Sequence, residues 1–207
     1  MVKPSKLIFI RHAPVETEVG YLPDNDPDAI INEFKIKNLA SYLPQDCIWY
    51  VSPLKRTIQT AKALSKYVAV KDMILEKKLK EQNFGDWAGR NVSEVWQELK
   101  NNKSQHNFSF ICPEVAPPNG ESFLTQLERV SIWLEELQFF ESQTVVIIAH
   151  SGTIKGMLAY ILGIDPDKVI GIEISHLSLT SVEFLAKTDD KNRGGRYRIL
   201  EINNKVE

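Results

Sequence analysis

The chain has 207 residues, of which 43% are hydrophobic, and a formal net charge of −2. This length and composition suffice for one domain with a sizeable core that needs neither disulfides nor a structural metal. Acidic and basic residues are mixed along the chain, which excludes a basic stripe for nucleic acid and a polybasic segment for a membrane surface. We therefore expect a single domain over residues 1–207 that binds its ligand through local charges.

The two cysteines and the apolar runs indicate a cellular location. Cys47 and Cys112 show no CxxC spacing and predict no disulfide framework. The apolar run that ends at Ile10 is too short for the core of a signal peptide, and no other run is long enough to span a membrane. We expect a cytoplasmic protein with no membrane or nucleic-acid partner, and a homodimer is left open.

Hydrophobic patterning in the first third of the chain predicts alternating strands and helices. Residues 7–10 form a predicted strand, and residues 30–43 carry a partial helical stripe. A second strand at 47–51 and a second helix at 54–67 follow. Such β-α-β-α alternation favours a parallel sheet covered by helices.

The middle of the chain is less regular. A short strand is predicted at 73–75, and a helix at 92–99 with Ser93 as its cap. Residues 101–119 are polar and contain three prolines, and we interpret them as a loop insertion over the site.

Regular patterning returns in the last third. An amphipathic helix at 122–140 precedes a continuously apolar strand at 144–149 and a helix at 152–162 that ends at Gly163. Further strands are predicted at 169–174, 177–185 and 196–202, the first two paired in antiparallel orientation across the short link Ser175-His176. The predicted fold is α/β, a three-layer α/β/α sandwich with a mostly parallel, mixed sheet.

Three of the predicted strands end in residues suited to holding a phosphate. They are followed, in chain order, by Arg11-His12, by the segment from Ser52 to Arg56, and by His150-Ser151. Ligands of open α/β sheets collect at the carboxyl ends of the strands, beside the starts of the following helices. The sequence therefore predicts an anion site that contains a nucleophile.

Phosphoryl transfer assigns a role to each of these side chains. His12 can attack phosphorus through one ring nitrogen if a backbone carbonyl holds the other. Arg11 and Arg56 supply fork-shaped donors that match phosphate geometry. His150, if protonated, would stabilise the charge of the transition state.

The leaving alkoxide also needs a proton donor. Glu81 is the candidate, although an exposed charge in a lysine-rich run fits its sequence context equally well. We expect no metal site, because the chain has no HExxH motif and Lys155 adds positive charge near the histidines. His106 and His176 are interpreted as surface or structural groups.

Five motifs together resemble the histidine phosphatase superfamily, which has the phosphoglycerate mutase-like fold. In chain order they are Arg11-His12-Ala13; Ser52-Pro53-Leu54-Lys55-Arg56-Thr57-Ile58-Gln59-Thr60-Ala61; Glu81 with Phe84-Gly85-Asp86-Trp87-Ala88-Gly89; Gly120-Glu121-Ser122; and Ala149-His150-Ser151-Gly152. The resemblance implies that His12 is the phosphorylated nucleophile and Glu81 the acid. It implies that Arg11, Arg56, His150 and Ser151 complete the phosphate pocket, with no cofactor or metal.

Some residues depart from the family pattern. Ala13 stands where glycine is commoner. Glu16 and Glu18 place acidic groups near the expected phosphate, where they face either the pocket, selecting against highly anionic substrates, or solvent. The segment after Glu81 resembles the phosphatase branch, including α-ribazole phosphatase-like enzymes, because it lacks the Arg-His-Tyr-Gly continuation of the cofactor-dependent mutases. We therefore expect a phosphomonoesterase acting on a small phosphorylated metabolite. The alternatives are a cofactor-dependent phosphoglycerate mutase and a catalytically silent domain that binds a phosphorylated ligand.

Overall fold

The computed structural model describes residues 3–99, 106–137, 142–185 and 195–206. The strands are β1 (Ser5–Arg11), β2 (Cys47–Val51), β3 (Val70–Leu75), β4 (Thr144–Ala149), β5 (Ser178–Phe184) and β6 (Tyr197–Lys205). The helices are α1 (Glu33–Ala40), α2 (Lys55–Leu64), α3 (Val92–Glu98), α4 (Phe123–Glu136), α5 (Ser151–Leu162) and α6 (Pro166–Val169), with short 3₁₀ turns at Lys77–Leu79 and Gly85–Trp87.

The six strands form one sheet in the order β3-β2-β4-β1-β5-β6. The first four strands in this order run parallel to one another, whereas β5 is antiparallel to both β1 and β6. The predicted mixed, mostly parallel sheet is therefore confirmed. β1 and β4 lie side by side in its centre, which explains why their sequences are apolar on both faces.

The two faces of the sheet are buried under separate groups of helices. Leu7 and Phe9 of β1 face the layer that contains α4, α5 and α6, while Ile8 and Ile10 face α1 and α2. Successive side chains of a strand point to opposite faces, so one short strand contributes to both cores. This arrangement confirms the α/β/α sandwich.

The predicted strand at 169–174 is wrong. The chain instead forms the four-residue helix α6, in which the Asp165 side chain caps the first turn and Pro166 occupies its first position. Val169, Ile170 and Ile174 are buried, as the apolar run suggested, but turns follow the helix. The predicted antiparallel pairing across Ser175-His176 is therefore wrong as well, and β5 pairs with β1 instead.

Several helix boundaries also differ from the prediction. The first helix begins after Asn32, whose side chain accepts a hydrogen bond from Lys35 N, and it ends at Ala40. Asn91 caps α3 in place of Ser93, since its side chain accepts from the Ser93 amide. Helix α4 ends at Glu136, and residues 138–140 of the predicted helix lie outside the described residues.

The described part of the predicted loop insertion, residues 106–119, packs against the rest of the domain. Ile111 is buried in a small core with Leu22, Trp87 and Val95. The loop residue Phe110 stacks on Trp96. Residues 101–105 of the insertion lie outside the described residues. In the part of the chain that the structure describes, no helix combines the length and apolarity needed to cross a membrane.

Candidate active site

The carboxyl ends of β1, β2 and β4 bring the predicted phosphate-binding segments together. Backbone pairing continues past the strand ends, because His12 N donates to Ala149 O at 3.0 Å and Ser52 N donates to Ile148 O at 3.0 Å. His12, Ser52 and His150 therefore lie next to one another at the carboxyl ends of neighbouring strands, although they are far apart in the sequence.

The His12 ring is held in a defined tautomer. Its Nδ1 lies 2.6 Å from the Ala13 carbonyl oxygen, which can only accept a hydrogen bond, so Nδ1 carries the proton. Its Nε2 accepts a hydrogen bond from Arg56 Nε at 3.2 Å. Burial, followed by the proximity of His150, Arg56 and Arg11, lowers the pKa of His12 to about 2. The imidazole is therefore neutral, with the lone pair on Nε2.

Ala13 is fully buried at this point, and its amide donates to Thr60 Oγ1 at 2.9 Å. Ala13 is not among the residues with positive φ, so the replacement of the commoner glycine imposes no backbone strain.

His150 is completely buried beside His12, and the two ring centroids are 5.0 Å apart. Its Nε2 lies 2.8 Å from Ser52 Oγ. Its Nδ1 is buried and has no hydrogen-bond partner among the described residues. Burial and the neighbouring Arg56 and Arg11 hold the pKa of His150 well below its ordinary value. In these surroundings His150 is a neutral hydrogen-bonding group and not the cation considered from the sequence.

Arg11 and Arg56 are both anchored by backbone carbonyls. Arg11 Nη1 donates to Ile174 O at 2.6 Å, while its Nε is buried without a partner among the described residues. Arg56 Nη1 donates to Asn25 O at 3.3 Å and lies 3.9 Å from an Asp26 carboxylate oxygen. Each guanidinium is thus held by the protein.

Arg11 Nε and His150 Nδ1 are two buried nitrogens that the protein leaves unsatisfied. Burying such a group without a partner costs about 1–3 kcal/mol. Oxygens of a bound phosphate would satisfy Arg11 Nε, and they would satisfy His150 Nδ1 in the tautomer in which Ser52 Oγ–H donates to Nε2. Ser151 is the first residue of α5, so the helix N-terminus also faces the strand ends, a common setting for anions.

Glu81 lies beside this cluster and not on an exposed lysine-rich surface. The half-buried carboxylate accepts from Gln126 Nε2 at 2.7 Å, from Gly152 N at 3.2 Å and from Gln82 N at 3.2 Å. A Cβ atom on residue 152 would overlap Glu81 Oε1, so the carboxylate keeps this position because residue 152 is glycine and would have to shift for any larger residue. The sequence alternative of a solvated charge is thereby excluded.

His176 is a site residue that the sequence interpretation missed. Its half-buried ring lies 5.2 Å from the His12 ring, centroid to centroid. Burial, then Arg11 and Arg56, lowers its pKa to about 4. No single motif marks it. Its place near His12 can be inferred only from the pairing of β5 with β1. Because these strands are antiparallel, the start of β5 lies at the carboxyl end of β1.

Glu16, Glu18 and His106 are three further side chains that the sequence singled out. Glu16 and Glu18 are exposed, and neither lines either of the two cavities beside Glu81. His106 Nε2 donates to the Asp167 carbonyl oxygen at 2.9 Å and His106 Nδ1 accepts from Phe108 N, so this histidine has the structural role expected. Within the described ranges there is no group of three or more His, Cys, Asp or Glu side chains that could hold a metal ion.

Two cavities flank Glu81. The first, of about 170 Å³, exposes more apolar than polar surface, and its lining includes the polar side chains of Gln82, Ser109, Ser151 and Lys155. The second is a cleft of about 530 Å³, and its lining includes the cations Lys77, Lys80 and Arg129. The carboxylate therefore stands between an apolar and a polar space.

Comparison with protein families gives one family over most of the chain. A model of the histidine phosphatase superfamily, branch 1, matches residues 7–193. This match confirms the family resemblance that the motifs predicted.

Curated relatives include both mutases and phosphatases. A 2,3-bisphosphoglycerate-dependent phosphoglycerate mutase of Bartonella tribocorum is 30% identical over 187 residues, which cover 82% of this chain and 87% of the relative. Phosphoserine phosphatase 1 of Hydrogenobacter thermophilus is 32% identical over 177 residues, covering 79% of each chain.

Solved structures share the fold. The α-ribazole phosphatase of Shigella flexneri superimposes with a TM-score of 0.71 at 21% identity, covering 97% of this chain and 98% of its own. At this identity the likeness concerns the architecture.

Proposed function

Because the chain belongs to the histidine phosphatase superfamily, we propose that it is a phosphomonoesterase that hydrolyses a small phosphorylated metabolite through a phosphohistidine on His12. The observation that carries this proposal is the presence, beside a neutral His12 Nε2, of two unsatisfied buried nitrogens: the donor Arg11 Nε, and His150 Nδ1, which is a donor when Ser52 Oγ–H donates to His150 Nε2. A nucleophile beside unpaired donors is what phosphoryl transfer requires.

In the first step, His12 Nε2 forms a bond to phosphorus while the bond from phosphorus to the ester oxygen breaks. The Ala13 carbonyl favours this step, because its oxygen accepts a hydrogen bond from Nδ1–H and so stabilises the positive charge that develops on the ring. The low pKa of His12 keeps the lone pair available without a separate base.

The transferring phosphoryl group needs positive charge and donors around its three oxygens. Arg11 and Arg56 supply the charge, and His150 and the N-terminus of α5 at Ser151 supply further donors. The contact between Arg56 and His12 in the structure lies where phosphorus would enter, so this guanidinium would exchange the ring nitrogen for a phosphate oxygen.

Glu81 is the proton donor in this proposal. Its carboxyl group would give a proton to the leaving alkoxide, and would then take one from the water that hydrolyses the phosphohistidine, so that inorganic phosphate is released. Gln126 and the Gly152 amide support the role because they fix the orientation of the carboxyl group next to the cluster.

The mutase alternative is favoured by one observation, the 30% identity with the Bartonella phosphoglycerate mutase. A mutase must protect its phosphoenzyme from water until the product has been rephosphorylated. The residues after Glu81 are Gln82 and Asn83, without the Arg-His-Tyr continuation, and this supports hydrolysis over transfer. A silent phosphate-binding domain is disfavoured because His12, Glu81 and His150 are all present.

Rapid-quench labelling tests the proposal. The protein is incubated with ³²P-labelled phosphomonoester in EDTA, and phosphate release is measured together with label on the protein. We expect release of inorganic phosphate and transient label that is lost in acid but stable in alkali, as for a phosphoramidate. His12→Ala should abolish both. Label on Ser52 or Ser151, or strict dependence of turnover on an added metal, would contradict the mechanism.

A further inference from the structure

The smaller cavity beside Glu81 is continuous with the catalytic cluster. Glu81, Ser151 and Gly152 belong both to the cluster and to the cavity lining. The proton donor therefore borders the cavity, and the ester oxygen of a bound substrate has to lie within hydrogen-bond reach of it. Whatever is attached to that oxygen can extend into this space.

The lining of this cavity is mainly apolar. Its apolar members come from four separate segments of the chain and are Phe84, Phe108, Ile111, Phe123 and Ile170. Phe108 is the exposed one, with 74% of its surface accessible. An exposed aromatic ring beside a catalytic group loses further contact with water when a ligand covers it, and each Å² of apolar surface so buried contributes about 25 cal/mol.

The segment that carries Phe108 is held in position by contacts with residues 167–171, the segment that supplies Ile170 to the lining. His106 Nε2 lies 2.9 Å from the Asp167 carbonyl oxygen, at the start of the turn that supplies Ile170. A Cβ atom on Gly171 would lie 3.7 Å from Phe108 Cδ2, so the ring packs over this turn. The Phe108 ring therefore has a defined position in the cavity lining.

Charge on this side of Glu81 is sparse. Lys155 provides the ammonium group in the lining, and its Nζ already donates to Ile170 O at 2.7 Å. The cations that could receive a second anionic group, Lys77, Lys80 and Arg129, line the cleft on the other side of Glu81. A second phosphate or a carboxylate in this cavity would therefore meet the ammonium of Lys155 and no guanidinium among the lining residues.

We propose that the substrates are phosphomonoesters of apolar, uncharged alcohols, aromatic or branched aliphatic, whose alcohol portion lies in this cavity between Phe108 and Ile111. This inference rests on the proposed phosphatase function and names the substrate class of the same site. Polyhydroxylated and carboxylate-bearing alcohols lose hydration against the apolar side chains of the lining, which offer them no hydrogen bonds.

The test compares kcat/KM for benzyl phosphate, glycerol 1-phosphate and 3-phosphoglycerate. We expect benzyl phosphate to be preferred by about tenfold or more, which corresponds to about 60 Å² of extra apolar burial. Phe108→Ala should reduce kcat/KM for benzyl phosphate by about fivefold and leave that for glycerol 1-phosphate nearly unchanged. Phe34→Ala is the matched control, because Phe34 is 72% exposed on α1 and lines neither cavity.

A second measurement does not depend on turnover. Benzylphosphonate and methylphosphonate are compared as ligands by calorimetry, and we expect the benzyl compound to bind more tightly in the wild type and in Phe34→Ala, with most of the advantage lost in Phe108→Ala. Preference for glycerol 1-phosphate or 3-phosphoglycerate, or equal effects of the two phenylalanine variants, would overturn the inference while leaving a phosphatase. If no phosphomonoester is hydrolysed, the proposed function fails. The difference in affinity between benzylphosphonate and methylphosphonate then still tests whether the cavity binds an apolar group.

Discussion

Arg56 Nε donates a hydrogen bond to His12 Nε2 over 3.2 Å, so the proposed nucleophilic nitrogen is in direct contact with a phosphate-binding guanidinium. The contact joins the first turn of α2 to the end of β1. It keeps the lone pair of a buried imidazole paired, and a phosphate oxygen can replace it without creating an unsatisfied donor.

Replacement of Arg56 by lysine tests this arrangement. The single ammonium of Arg56→Lys cannot contact His12 and hold the Asn25 carbonyl at once, and it lacks the planar fork that matches phosphate. We expect kcat/KM for p-nitrophenyl phosphate to fall by about 10²-fold. Arg198→Lys is the control, because Arg198 of β6 forms an exposed ion pair with Glu183 of β5. This variant should leave the activity unchanged. Equal activities of the two variants would remove Arg56 from the phosphate pocket.

The lowered pKa of His12 predicts a pH dependence of stability. The pKa of this group falls from 6.5 to about 2 on folding, so between these values the unfolded chain binds a proton that the native protein does not. Stability therefore decreases as the pH falls below about 6.5, by about 1.4 kcal/mol per pH unit for this residue.

His12→Gln removes this contribution and serves as the comparison. Urea unfolding at about pH 7.5 and about pH 5 should show that the wild type loses about 2 kcal/mol more than the variant between the two conditions. Parallel loss in the two proteins would mean that His12 is not buried as a neutral group.

Gly152→Ala should act through Glu81. The added Cβ would meet Glu81 Oε1 at 2.4 Å and Gln126 Oε1 at 2.8 Å, and the ends of these side chains have to move. We expect the proton donor to be displaced, so that kcat for an alkyl phosphate falls by about 10²-fold while p-nitrophenyl phosphate, whose leaving group needs little protonation, is affected much less. Glu81→Gln should give the same contrast, and the double variant should be no slower than either single one. Additive losses would show that Gly152 affects a different step.

Gln126 is a positioning residue for the proton donor. It is fully buried, its Nε2 donates to Glu81 Oε1, and its Oε1 has no hydrogen-bond partner among the described residues. If the carboxamide rotates by half a turn, this oxygen can accept from a protonated Glu81, so either protonation state of the acid finds a partner.

Gln126→Leu tests this role with a change of similar volume. Because leucine cannot hold the carboxyl group, we expect a decrease of about tenfold in kcat for alkyl phosphates and a changed pH profile, with KM and the melting temperature little affected. Gln126→Glu, which keeps a hydrogen-bonding oxygen, should recover part of the activity. A loss that appears only in KM or in melting temperature would indicate a purely structural glutamine.

The phosphatase and mutase alternatives differ in what happens to 3-phosphoglycerate. We expect little or no 2-phosphoglycerate, even with 2,3-bisphosphoglycerate added, because the small cavity beside Glu81 offers no guanidinium for the carboxylate. Phosphate release and isomer formation are measured in the same reaction by ³¹P NMR. Efficient interconversion without phosphate release would establish a mutase.

Local sequence was sufficient for most of the sheet and for the principal site residues. Alternating strands and helices fixed the order of the first elements, and residues that follow parallel strands share one edge of the sheet, so Arg11, His12 and His150 were predicted together. Apolar content alone was not sufficient at 169–174, because it reports burial and not conformation, and the Asp165-Pro166 start favoured a helical turn.

Contacts between segments that are distant along the chain could not be predicted from the sequence. Glu81 could have been a solvated charge until its contacts with Gln126 and Gly152, 45 and 71 residues away, became visible. His176 reaches His12 only because β5 runs antiparallel to β1. Propensity and periodicity act within a few residues along the chain, whereas the burial, tautomer and charge of these groups depend on which strand ends meet. The motifs therefore identify the chemistry, and the packing of the folded chain sets the protonation states and the shape of the space for the substrate.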